Sequence, residues 1–155
     1  MTVIQKIERW GDLHTTKALD IVRIGLGILI FSKGIAIVSN TAALQELLLE
    51  KSVFGFSGMI ASVAIHIAGF VHLVGGILIT IGLLTRFAAV MQIPILLVAV
   101  FFVNISRGFS MLNSELWLSL IVLLLLVLFW VTGSGPYSVD HAMKKGSDKV
   151  DNPIS

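Results

Sequence analysis

Five polar side chains, Arg23, Lys33, His66, His72 and Gln92, stand inside long apolar runs. An ionisable group held away from water is costly, so each is a candidate for binding or chemistry. Lys33 and His72 lead. A lysine carries three donors and a neutral imidazole offers one donor and one acceptor, so His72 can accept from Lys33. Lys33 lies about 13 residues, or ~20 Å, into its run, too deep to reach back to the near surface. Helical side chains lean toward the helix N-terminus. On antiparallel neighbours Lys33 and His72 therefore lean toward each other at similar depth. A binding site there and a purely structural hydrogen bond are both consistent with this pattern.

The other three carry less. His66 is six residues from His72, ~9 Å along a helix and about 120° round it, so the two cannot chelate one metal. Both intramembrane histidines share one run, whereas a haem needs ligands from facing helices, so neither bound metal nor haem is expected. A neighbouring helix is expected to satisfy His66. Arg23 stands about one turn into its run. It can reach the surface or pair with Asp20, the preferred reading, or hold an anionic or carbonyl-bearing ligand. Gln92 precedes Pro94, where a carbonyl near Val90 loses its partner, and can bond a freed carbonyl there. Asn104 and Glu115 read as helix-end residues, with Asn113 or Ser114 as an N-cap.

The elements that position these residues are long. His72 to Pro94 contains two apolar runs that meet at Thr85-Arg86 with almost no loop, so the helices must lie antiparallel. Gly69, Gly75, Gly76 and Gly82 sit where a water-soluble helix avoids glycine; in lipid, small residues let backbones approach closely. Four spans follow, at about 18–39, 59–84, 87–104 and 114–132, each near the ~20 residues a bilayer requires. Pro94 is expected to kink the third. Between the first two, Thr41 to Glu50 places Ala43, Leu44, Leu47 and Leu48 on one face, an amphipathic surface helix. Val3, Ile4, Ile7 and Trp10 suggest a short interfacial helix near the start. Met1 to Lys17 makes a poor signal peptide, because its charged lead is long and the next apolar stretch is interrupted by Lys33.

Composition agrees. Of 155 residues 56% are hydrophobic and 13% charged, against about 25% charged in soluble domains. Mean hydropathy is +0.97. Scattered charge and a net +2 argue against nucleic-acid binding. The absence of cysteine excludes disulfides and thiolate chemistry within the chain. The reading is an all-α integral membrane protein: an up-down bundle of four transmembrane helices with an amphipathic helix in the first outer loop. Residues 1–17 and 133–155 form cytoplasmic tails, the latter mobile, around the transmembrane domain 18–132. Lys6, Arg9, Lys17, Arg86, Lys144, Lys145 and Lys149 then face inward, against Lys51 and Arg107 outward, a clear positive-inside bias.

Three segments resemble the DoxX family of small four-helix membrane proteins. They are Arg23-Ile-Gly-Leu-Gly27 with Lys33-Gly34, then Gly75-Gly76-Ile-Leu-Ile-Thr-Ile-Gly82-Leu-Leu-Thr85-Arg86-Phe-Ala-Ala89, then Gly133-Ser-Gly-Pro-Tyr-Ser-Val-Asp140. The resemblance spans about residues 20–141. It implies a multi-pass protein of the bacterial cytoplasmic (inner) membrane. Some relatives are subunits of a thiosulfate:quinone oxidoreductase and others are linked to oxidative-stress defence. Two departures stand out: His72 replaces a frequent family glutamate, and Ile37 a frequent lysine. The functional reading is a redox-associated subunit that contacts a quinone or a partner oxidoreductase. An assembly subunit without catalysis is the alternative, with small-molecule permeation behind, since the apolar fourth span is ill suited to line a pathway. The partners implied are the lipid bilayer and a membrane or peripheral oxidoreductase subunit, with a homo-oligomer left open.

Overall fold

The computed structural model describes residues 17–50, 57–104, 114–135 and 137–143. Helix α1 is Lys17–Ser39, α2 is Thr41–Glu50 and α3 is Gly58–Ile81. Helix α4, Thr85–Val98, runs on as a π-helix over Ala99–Asn104. Helix α5 is Ser114–Thr132. No strand occurs among the described residues. Three helices, α1, α3 and α5, are long and apolar enough to cross a bilayer, and α4 adds a shorter apolar stretch, Thr85–Phe101. The protein is an all-α, multi-pass membrane bundle. The expected interfacial helix before Lys17, the link 105–113 and the tail 144–155 lie outside the described residues.

Helix α1 packs most extensively on α3, while α3 meets α4 and α4 meets α5; α1 and α5 barely touch. Glycine explains the first contact. A Cβ added at Gly76 would lie 2.7 Å from Phe31 N and 2.9 Å from Gly27 O. In lipid no hydrophobic force drives helices together, so this close backbone fit supplies dispersion contact instead. Leu26, Ile30, Ile79, Leu126 and Phe129 fill the centre between the four spans.

The α3–α4 hairpin turns in three residues. Gly82 adopts φ 73°, Gly82 N–H donates to Ile79 O at 3.3 Å and Leu83 N–H to Leu78 O at 2.9 Å, which closes the helix end. This turn ends α3 at Ile81, three residues before the boundary that apolarity alone predicts. Helix α4 correspondingly starts at Thr85. It continues through Pro94 and widens to the π-helix only from Ala99.

Residues 133–135 and 137–143, expected to begin a mobile tail, lie against the hairpin end instead. A short helical segment at 139–143 is held there, with Ser138 Oγ accepting from His141 N–H at 3.1 Å.

Candidate functional site

Because α1 and α5 diverge, a cavity of about 700 Å³ opens between the spans at the end opposite the hairpin. All four spans and α2 line it. Leu44, Leu47 and Leu48 of α2 form its roof. The apolar face expected to rest on the membrane surface thus also closes the bundle, and Gln45 Nε2 anchors it to Gly58 O at 3.0 Å. Pro94, Ile95, Leu96, Val98 and Ala99 supply the α4 wall. Apart from Lys33, Asn40, His72, Glu115 and Ser119 the lining is apolar. That is the character of a ligand site: mostly hydrophobic, with a few placed polar groups.

Lys33 and His72 both line this cavity, but they do not bond each other. Lys33 Nζ donates to both carboxylate oxygens of Glu115, at 2.9 and 2.8 Å. The pair bridges the gap between α1 and α5, with side chains 37% and 50% exposed. Glu115, expected only as a helix-end residue, is therefore the lysine's partner. His72 is buried on α3 and donates from Nδ1 to Ala68 O at 2.9 Å. His66 is exposed and lies outside the cavity lining. Its Nδ1 bonds Ser62 O at 2.8 Å on its own helix, not the neighbouring helix expected.

Arg23 belongs to a second polar cluster, at the hairpin end. It is almost fully buried, and it pairs with Asp20 at 3.3 Å as its spacing suggests. It does not reach outward. Arg23 Nη2 donates to Tyr137 O at 2.8 Å, and Tyr137 N–H donates to Asp20 Oδ2 at 3.1 Å, so the pair clamps one residue of the returning chain. Asp140 completes the clamp. Its carboxylate accepts from Leu84 N–H at 2.9 Å and Thr85 N–H at 3.4 Å, while its own N–H donates to Gly82 O at 3.1 Å. Leu84 occupies the N-cap position of α4 and has no capping side chain. Asp140 does that work from 56 residues away. Its motif was visible in the sequence, but its role was not.

Gln92 is fully buried on α4, two residues before Pro94 of the cavity wall. Its Nε2 donates to Val71 O of α3 at 2.9 Å, a carbonyl on the facing helix and not one freed by Pro94. Gly75 makes room for it, since a Cβ there would meet Gln92 Nε2. Gln92 Oε1 is buried without a hydrogen-bond partner among the described residues. The five sequence candidates thus divide: Lys33 and His72 share the cavity, Arg23 locks the opposite end, Gln92 ties α3 to α4, and His66 faces outward.

Comparison with curated proteins returned no match, and comparison with solved structures returned none. The DoxX family pattern matches residues 18–105, which takes in α1 to the π-helix and every cavity wall except α5. The chain belongs to the DoxX family.

Proposed function

We propose that this DoxX protein is a redox-associated membrane subunit whose cavity receives the ring of a lipid-soluble quinone. The cavity carries the reading. It is about 700 Å³ and apolar, lies among membrane spans, and has the Lys33–Glu115 pair across its α1–α5 gap and His72 in its wall. Ligand cavities of roughly this size bury most of a small organic molecule, and sparse polar groups orient it. An isoprenoid tail would lie along Leu29, Ile37 and the α2 leucines, while the ring oxygens seek the polar groups. Electrons would pass to or from a membrane or peripheral oxidoreductase partner. The hairpin end, with Arg86, would face the cytoplasm of a bacterial inner membrane.

An assembly subunit without catalysis would need glycine faces free to dock a partner helix. Gly27, Gly34, Gly69 and Gly76 are buried within the α1–α3 seam, which weakens that support. The test is photolabelling with a short-tail azidoquinone in nanodiscs, followed by peptide mapping. Adducts concentrated on α1, α3 and α5 residues of the cavity, and competed by unlabelled quinone, are expected. Labelling scattered over lipid-facing surfaces, with no competition, would overturn the reading.

A further inference from the structure

His72 meets the cavity with one ring nitrogen already committed. Its Nδ1 lies 2.9 Å from Ala68 O, one turn earlier on α3. A carbonyl oxygen only accepts, so Nδ1 carries the proton, and in the neutral ring Nε2 holds a lone pair and no hydrogen. Nε2 is the ring nitrogen remote from that backbone contact. His72 is only 6% exposed and lines the cavity.

The remaining polar lining follows the same sign. Asn40 Nδ2 donates to Ala36 O at 2.8 Å. Ser119 Oγ donates to Glu115 O at 2.8 Å. Lys33 is engaged by both Glu115 oxygens. Asn40, Ser119 and Lys33 each bond the protein itself, Lys33 keeping a third hydrogen, and His72 presents an acceptor.

The quinone and quinol forms of one ring differ in this respect. Quinone oxygens can only accept, whereas each quinol oxygen carries a hydrogen to donate and can still accept. Building on the quinone reading above, we propose that the cavity selects the reduced form, a quinol, through a hydrogen bond from its hydroxyl to His72 Nε2. A quinone carbonyl at that point would place two acceptors face to face in an apolar setting, where an unpaired polar group is penalised most. Lys33 does not discriminate, because either form can accept from it. A site that hydrogen-bonds a hydroxyl rejects an analogue lacking the hydrogen.

The test is calorimetric titration of the full chain in nanodiscs, against empty nanodiscs, with three short-tail ligands: the quinol under anaerobic reducing conditions, the quinone, and the quinol dimethyl ether. The ether keeps the ring and removes the donors. The quinol is expected to bind about tenfold tighter than the other two. His72→Phe should level all three. Equal or tighter binding of the quinone or the ether, or an undiminished quinol preference in His72→Phe, would overturn the selection while leaving the quinone site standing. If none of the three binds the wild-type chain, the quinone reading fails and the selection with it. Should His72→Phe not fold, the comparison of quinol with its ether in the wild-type chain decides.

Discussion

Gly82 has no side chain, and Arg23 occupies the space where one would stand. A Cβ at Gly82 would collide with the guanidinium. The same glycine holds φ 73° to end α3. One position thus turns the hairpin and admits the buried arginine of another helix. Gly82→Ala should lower stability by roughly 2–4 kcal/mol, from left-handed strain and displacement of a paired charge. Thermal unfolding in detergent, followed by circular dichroism, would show it. A variant as stable as the wild type would mean that Arg23 is free to move.

Asp20 and Arg23 are almost completely buried, and the returning chain covers them. Removing one member strands the other, so Arg23→Met and Asp20→Asn should each cost about 3–5 kcal/mol. The double variant should cost clearly less than their sum, because no charge is left uncompensated. Additive losses would mean that the two side chains act independently.

Much of the architecture was legible in the sequence because lipid imposes it. Length and apolarity fix the spans, and α1, α2 and α5 fall almost where residue pattern places them. The α2 face of Leu44, Leu47 and Leu48 was legible for the same reason. Lys33's partner was not. Glu115 is 82 residues away, and the bond depends on how far α1 and α5 diverge, which helical periodicity does not encode. Asp140 was equally obscure. A carboxylate beyond the last span reads as part of a solvated tail until the hairpin end it caps is known.

Two glycines on the packed pair of helices make a contrast, Gly76 on α3 and Gly25 on α1. A Cβ at Gly76 would press on the backbone of α1, whereas one at Gly25 would meet nothing within 4 Å. Backbone cannot step aside as a flexible side chain can. Gly76→Ala should therefore destabilise the bundle by roughly 1–3 kcal/mol, and Gly25→Ala should be neutral or better by up to about 1 kcal/mol through helix propensity. Similar melting temperatures for the two variants would count against a close-packed α1–α3 seam.

Orientation can be tested without background labelling, since the chain has no cysteine. Glu46 is exposed on α2 and Met143 is exposed at the hairpin end. In intact bacterial cells Glu46→Cys should react with an impermeant maleimide, and Met143→Cys should react only after lysis. The reverse pattern would place the lysine-rich end outside.

Lys33 shares the cavity lining with two titratable side chains, Glu115 and His72. Lys33 Nζ lies 2.8 Å from a Glu115 oxygen, across the gap between α1 and α5. Both side chains are more than a third exposed, so the pair should contribute less to stability than the buried Asp20–Arg23 pair. Two double-variant cycles separate the partners. Lys33→Met with Glu115→Gln should be non-additive in stability, because each removes the same ion pair. Lys33→Met with His72→Phe should be additive, because His72 bonds Ala68 on its own helix. Ligand binding should behave differently: both Lys33→Met and His72→Phe should weaken quinol binding, since both residues line the same cavity. Coupling of Lys33 to His72 in the ligand-free protein, with none to Glu115, would show that the lysine turns inward and that the α1–α5 bridge is not its resting position.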